Sequence, residues 1–213
     1  MTSLKRTLTK ILSHAFTILL ATVDCFHVLF AQPRTAQKPP QYVLIAYDNC
    51  TELDRWREVL AFLHEINRAR HVLDLTFFVS GVNLIATEFA NKYQAPRQRM
   101  GTANIDFGGS PADVAERVKY INAALAQGSE VGSHAVGHFW GGLADCGNGD
   151  TPGVNCGADW TEEEWDREFS SFAFIFDNVG KNNRLAESLS ISAGSLVGFR
   201  APQLSYNPSL IRR

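Results

Sequence analysis

The stretch EVGSHAVGH, residues 130–138, does most to decide the fold. It begins with a short apolar segment typical of a buried strand and continues at once into two histidines, His134 and His138. Three intervening residues allow both imidazoles to lie side by side, and neutral imidazole is a common metal ligand. Two rings supply half of a tetrahedral metal site. The alternative interpretation is a pair of partly buried histidines that hydrogen-bond to backbone carbonyls.

Apolar runs and helical patterns alternate on both sides of this stretch. Continuous apolar runs predict strands buried on both faces at 42–47, 75–79 and 196–199, in addition to the strand around Val131. Apolar residues at helical spacing and N-cap signals predict helices at 53–66, at 83–92, from Ser110 to Gly128 and from Thr161 onward. This alternation predicts an α/β fold built on a parallel sheet or barrel with right-handed crossovers.

Polar residues follow three of the predicted strands. Asp48 and Asn49 follow the first strand, the two histidines follow the strand around Val131, and Arg200 follows the last. In parallel α/β folds, reactive side chains gather just beyond the carboxyl ends of the strands. We therefore expect these residues to share one site.

These residues, taken in order, resemble the polysaccharide deacetylase family, the NodB-homology carbohydrate esterases of family 4, which include chitin and peptidoglycan deacetylases. The family's Thr-Phe-Asp-Asp motif is similar to Ala46-Tyr47-Asp48-Asn49, and its His-Ser/Thr-x-x-His motif to residues 134–138. Its Arg-x-Pro motif, followed by an aromatic residue, is similar to Arg200-Ala201-Pro202-Gln203, and its Ala-Thr-Phe-Phe-Val strand to 75–79. The resemblance covers residues 42–206.

The resemblance implies a distorted (β/α) barrel of the NodB type that holds one divalent metal, usually Zn²⁺. It implies that Asn49, His134 and His138 are the metal ligands, that Asp48 is the general base, and that Arg200 holds the base in place. The implied reaction is hydrolysis of N-acetyl groups on a polysaccharide such as chitin or peptidoglycan, with the metal polarising the acetamide carbonyl. The alternative for Arg200 is an ordinary structural salt bridge.

The chain departs from the family pattern at two site positions. Asn49 replaces a metal-binding aspartate. Its neutral amide oxygen is therefore expected to weaken metal binding or to change which metal is preferred. Gln203 replaces an aromatic residue beside Pro202, and both positions are expected to contact substrate, with the backbone N–H of Gln203 still available to an oxyanion. Residues 49–51 also match the N-glycosylation pattern, which we interpret as a chance match.

The family pattern continues, beyond the Arg-x-Pro motif, to a Leu-x-His whose histidine is the general acid. No histidine follows His138 in this chain. We therefore expect the barrel to be incomplete at its C-terminus, because the chain is either a fragment of a longer product or a degenerate relative. The alternative function is accordingly a catalytically impaired carbohydrate-binding protein.

The N-terminus has the pattern of a secretory signal peptide at 1–31, followed by a linker at 32–41 and the deacetylase-like domain at 42–213. We expect a secreted or periplasmic protein; the alternative is an organellar transit peptide. Asp24 and His27 interrupt the apolar run, so no stable membrane span is expected.

The net charge of −2 provides no basic surface for nucleic acid. The oligomeric state stays open.

Two of the four cysteines, Cys146 and Cys156, flank a loop of small and polar residues. In an oxidising compartment this pattern predicts a disulfide, and the alternative is two reduced thiols. Cys25 leaves with the signal peptide, and Cys50 is expected to be a buried thiol.

Overall fold

The described part of the chain contains a parallel sheet of three strands. The strands are β1 (Ala46–Asp48), β2 (Thr76–Val79) and β3 (Glu130–Ser133), in the spatial order β1-β2-β3. The computed structural model describes residues 43–48, 51–70, 72–139, 160–204 and 208–211. The predicted signal peptide, linker and disulfide lie outside these residues. The predicted parallel sheet is confirmed, whereas barrel closure stays a prediction.

Five α-helices are present among the described residues: α1 (Leu53–Asn67), α2 (Pro111–Ala126), α3 (Glu162–Asp177), α4 (Val179–Asn183) and α5 (Pro208–Ile211). α1 lies between β1 and β2 in the chain, and it buries Trp56, Leu60 and Leu63. The ring of Trp56 stacks on Phe77 of β2 with centroids 4.6 Å apart. No helix in this part of the chain is long and apolar enough to cross a membrane.

Both strong helix starts predicted from the sequence are confirmed, and each is a reciprocal capping box. The Ser110 hydroxyl accepts from the backbone N–H of Asp113, whose carboxylate accepts from the N–H of Ser110. Thr161 and Glu164 make the same pair of bonds at the start of α3. Each box satisfies two backbone donors that the first helical turn leaves unpaired.

The predicted helix at 83–92 is wrong. Two short 3-10 segments, Gly81–Leu84 and Thr87–Lys92, occupy this region. The backbone N–H groups of Gly81 and Val82 donate to the carbonyls of Ala135 and Val136. Within the segment, the N–H of Ala86 donates to Oδ1 of Asn183 and the N–H of Thr87 donates to the carbonyl of Gly109, so distant partners replace the local hydrogen bonds of a continuous helix.

The prediction that the run at 42–47 is buried on both faces is also wrong. β1 is an edge strand of the described sheet, and the exposed fractions of Val43 and Leu44 are 79% and 96%. The run at 196–199 is in the predicted place, since Phe199 bridges in parallel to Ser133 of β3, but Val197 is 53% exposed. An apolar run predicts a strand without revealing which strands lie at an edge.

Candidate functional site

The loop after β3, residues 134–138, which we call the histidine loop, turns sharply as soon as the strand ends. Ala135 has a φ of 59° and His138 a φ of 55°, in the left-handed region that side-chain-bearing residues rarely occupy. This turn brings the rings of His134 and His138 together, with centroids 4.9 Å apart and planes inclined at 66°.

Both imidazoles are buried, with exposed fractions of 2% for His134 and 7% for His138. Burial lowers the pKa of His134, and burial together with the neighbouring His134 lowers the pKa of His138 to about 4. Both rings are therefore neutral near pH 7, which is the form in which imidazole binds a metal.

A backbone carbonyl fixes the tautomer of His134. Nδ1 of this ring lies 2.8 Å from the carbonyl oxygen of Arg200. Because a carbonyl can only accept, Nδ1 carries the proton and Nε2 keeps its lone pair. Metal-ligating histidines are commonly held in this way. Nδ1 of His138 is buried and makes no hydrogen bond to another described residue, so a cation is one group that would satisfy it.

The Arg200 side chain is paired with Asp48 across the sheet. Its Nη1 donates to Oδ1 of Asp48 at 2.9 Å, and both side chains are partly exposed. The negative charge of Asp48 raises the pKa of both His134 and His138 against the effect of burial, so the carboxylate acts on the histidine pair electrostatically. A carboxylate and two neutral imidazoles thus lie at the carboxyl ends of the strands.

Two further contacts hold Arg200 in place. Its backbone N–H donates to the carbonyl of Ser133 at 2.9 Å, and its guanidinium lies over the Phe78 ring, 4.4 Å from the centroid. Gly132 makes room for that ring, because a Cβ at this position would lie 2.5 Å from Phe78 Cε1. The absence of a side chain at Gly132 therefore allows Phe78 to support Arg200.

Two neutral imidazoles fit a divalent cation of borderline softness such as Zn²⁺. Within the part of the chain that the structure describes, no group of three or more His, Cys, Asp or Glu side chains is arranged to hold a metal. Asn49, the third ligand predicted from the sequence, lies outside the described residues, as do Cys50, Cys146 and Cys156.

Pro202 and Gln203, predicted to contact substrate, follow Arg200 directly. Pro202 is buried and Gln203 is exposed with a φ of 52°. A separate cleft of about 1010 Å³ lies beside the first turns of α1 and α2 and the loop 101–109. Its lining contains none of the described candidate residues, but Asn104 of that loop donates from its backbone N–H to the carbonyl of Gly137.

Sequence reasoning missed a buried acidic residue behind the histidine loop. Glu168 lies on the buried face of α3, 1% exposed, and accepts from the backbone N–H of Val136. A signal was present in the sequence: position 168 falls between the apolar Trp165 and Phe172 on one face of the helix, where a carboxylate requires partners.

No protein-family model and no curated protein matches the chain. Among solved structures, the chain is similar to a CE4 family pseudoenzyme from Bacillus anthracis, with a TM-score of 0.42 and 10% identity, over 83% of this chain and 40% of that one. A mutant of that pseudoenzyme with restored enzymatic activity has a TM-score of 0.42 and 11% identity, over 83% of this chain and 42% of its own. The chain thus spans about two fifths of the length of these structures, and a TM-score of 0.42 carries no functional assignment.

Proposed function

We propose that this chain is a secreted, metal-dependent hydrolase that removes N-acetyl groups from a polysaccharide such as chitin or peptidoglycan. The proposal is supported chiefly by one observation: the histidine pair, His134 and His138, and the ion pair of Asp48 and Arg200 lie together at the carboxyl ends of the strands. His134 and His138 have ring centroids 4.9 Å apart, and Asp48 is bound by Arg200, whose backbone also holds His134.

In this proposal, His134, His138 and Asn49 hold the cation. We propose Zn²⁺ because imidazole nitrogen is one of its preferred ligands. When bound, a divalent cation supplies Lewis acidity toward the acetamide carbonyl and makes water a stronger acid. Asp48 then accepts a proton from the attacking water as general base.

Arg200 holds the Asp48 carboxylate in a fixed orientation through a charge-assisted hydrogen bond of 2.9 Å. The partial exposure of both side chains leaves the pair accessible to a large substrate. The exposed Gln203 and the buried Pro202 lie next along the chain, where they are proposed to contact the sugar beside the scissile amide.

The nearby cleft is the proposed binding region for neighbouring sugars. Its volume of about 1010 Å³ is at the upper end of typical ligand pockets. The loop 101–109 lines the cleft and also contacts the backbone of the histidine loop through Asn104, which links the two regions.

A second candidate function is carbohydrate binding without turnover. It is favoured by the neutral amide of Asn49 in place of an aspartate, because a weaker metal site reduces catalysis before it reduces glycan contact.

Acetate release from an N-acetylated chitooligosaccharide and from peptidoglycan distinguishes the two candidates. For the hydrolase we expect acetate release that a chelator abolishes and added Zn²⁺ restores. Saturable glycan binding with no acetate under any metal condition would overturn the hydrolase and support the binding protein.

A further inference from the structure

The carboxylate of Glu168 binds the backbone of the histidine loop directly. Its Oε1 accepts from the N–H of Val136 at 2.8 Å and from the N–H of Gly137 at 3.3 Å. These amides belong to residues between the two histidines. Glu168 therefore fixes the backbone segment that connects one imidazole to the other.

Tyr93 completes the surroundings of this carboxylate. Its hydroxyl donates to Oε2 of Glu168 at 2.8 Å, and its side chain is 1% exposed. A Cβ at Gly137 would lie 2.8 Å from that hydroxyl, so glycine permits the loop to approach closely. Burial raises the pKa of Glu168, whereas its three donors favour the charged form.

The loop that Glu168 holds is strained. Ala135 and His138 both have positive φ, a conformation that is unfavourable for residues with a side chain. Such conformations persist only where the surroundings enforce them. The backbone N–H groups of Gly81, Val82 and Asn104 donate to the carbonyls of Ala135, Val136 and Gly137. Glu168 accepts from two backbone amides of the same loop.

We propose that Glu168 is a positioning residue that holds His138, through the backbone of Val136 and Gly137, in the orientation required to bind a cation. This inference rests on the proposed function, because it concerns the same metal site. Glu168 touches neither imidazole in this arrangement; it acts by fixing the loop.

Titration of the protein with Zn²⁺ tests the proposal in two variants. Glu168→Leu removes the acceptor and is expected to raise the Kd for Zn²⁺ by about 10- to 100-fold, the usual effect of losing a residue that orients a ligand. Glu168→Gln keeps one carbonyl oxygen that can accept from the amides of Val136 and Gly137. Its Kd for Zn²⁺ is therefore expected to be close to that of wild type and well below that of Glu168→Leu. Co²⁺ absorption spectra report whether the ligand geometry changes in the same order.

Glu164→Gln is the matched control. This residue lies one helical turn earlier on α3, is also buried, and binds Arg97 rather than the histidine loop. It is expected to lower the thermal unfolding temperature while leaving the Kd for Zn²⁺ within about twofold. Equal Zn²⁺ affinity in wild type and Glu168→Leu, with an unchanged Co²⁺ spectrum, would overturn the proposal.

Two further measurements separate the positioning role from the metal site itself. If wild type binds no Zn²⁺, the proposed function fails, and the imidazole proton resonances of His134 and His138 then test the positioning. Glu168→Leu is expected to shift them and Glu164→Gln to leave them in place; resonances that stay fixed in both would overturn the positioning.

If Glu168→Leu does not fold, hydrogen exchange in wild type decides: slow exchange at Val136 and Gly137 supports the proposal, and rapid exchange overturns it.

Discussion

The carbonyl oxygen of Arg200 accepts a hydrogen bond from Nδ1 of His134 at 2.8 Å, while the guanidinium of the same arginine binds Asp48. One residue thus sets the tautomer of a proposed metal ligand with its backbone and orients the proposed base with its side chain. The first of these functions survives any substitution at position 200, whereas the second depends on the side chain. The proposed metal binding and the proposed catalysis are therefore expected to respond separately to substitution at position 200.

Asp48→Asn is expected to reduce kcat for acetate release by about 10²- to 10⁴-fold, the usual contribution of a general base. The Kd for Zn²⁺ should rise less than in the histidine variants, because Asp48 acts on the histidine pair through its charge and is not a proposed ligand. Glu58→Gln, which alters an exposed carboxylate on α1, is the control and should retain full activity. A fully active Asp48→Asn enzyme would exclude Asp48 as the base.

His134→Ala and His138→Ala are each expected to weaken Zn²⁺ binding by more than the ~10- to 100-fold effect of losing an orienting partner, because each removes a proposed ligand. Isothermal titration calorimetry measures this loss. His64→Ala is the control, since His64 is exposed in the last turn of α1. Loss of affinity in the His64 variant would place the binding elsewhere.

Asn49→Asp is expected to tighten Zn²⁺ binding, because an anionic carboxylate replaces a neutral amide oxygen in the proposed ligand set. The measurement is competition for Zn²⁺ against a chelator of known affinity. An unchanged affinity would mean that Asn49 is not a ligand.

Cys146 and Cys156 are expected to form a disulfide in protein exported to an oxidising compartment. Mass spectrometry of peptides from alkylated protein, with and without prior reduction, detects the linkage. Cys50 is expected to carry the alkyl group under both conditions. Alkylation of Cys146 and Cys156 without reduction would contradict the assignment.

Glu164→Gln is expected to lower the free energy of unfolding by about 1–2 kcal/mol near neutral pH, because it breaks a charged hydrogen bond to the partly exposed Arg97. The Arg97 guanidinium holds the pKa of Glu164 below its ordinary value of 4.5. The folded state therefore gains stability from this group above that value and loses it as the pH falls through the lowered pKa.

Urea denaturation of wild type and Glu164→Gln across this pH range measures the effect. The two curves of stability against pH should converge in acid. A constant difference at every pH would show that packing, rather than the charge on Glu164, explains the loss. Glu58→Gln, whose ion pair with Arg55 is exposed, should change stability by less than about 1 kcal/mol.

Features with local causes were predictable from the sequence. The capping boxes at Ser110 and Thr161 involve residues three positions apart, so their signals are contained in a short window. The strand at 76–79 and the pairing of two histidines on one turn also follow from short patterns. These elements agree with the structure for that reason.

Features that depend on distant partners were not predictable in this way. The segment at 83–92 does not form a continuous helix because the N–H groups of Ala86 and Thr87 bind the distant residues Asn183 and Gly109. The exposure of Leu44 depends on which strand lies beside β1. The role of Glu168 likewise depends on a contact with Val136, 32 positions away in sequence.

Gly132 has a consequence for any attempt to engineer this protein. A single methyl group there would collide with Phe78, tilt the ring beneath Arg200 and loosen its hold on Asp48, without altering any reacting atom. Under the proposed function, Gly132→Ala is therefore expected to lower acetate release while leaving Asp48, His134 and His138 in place.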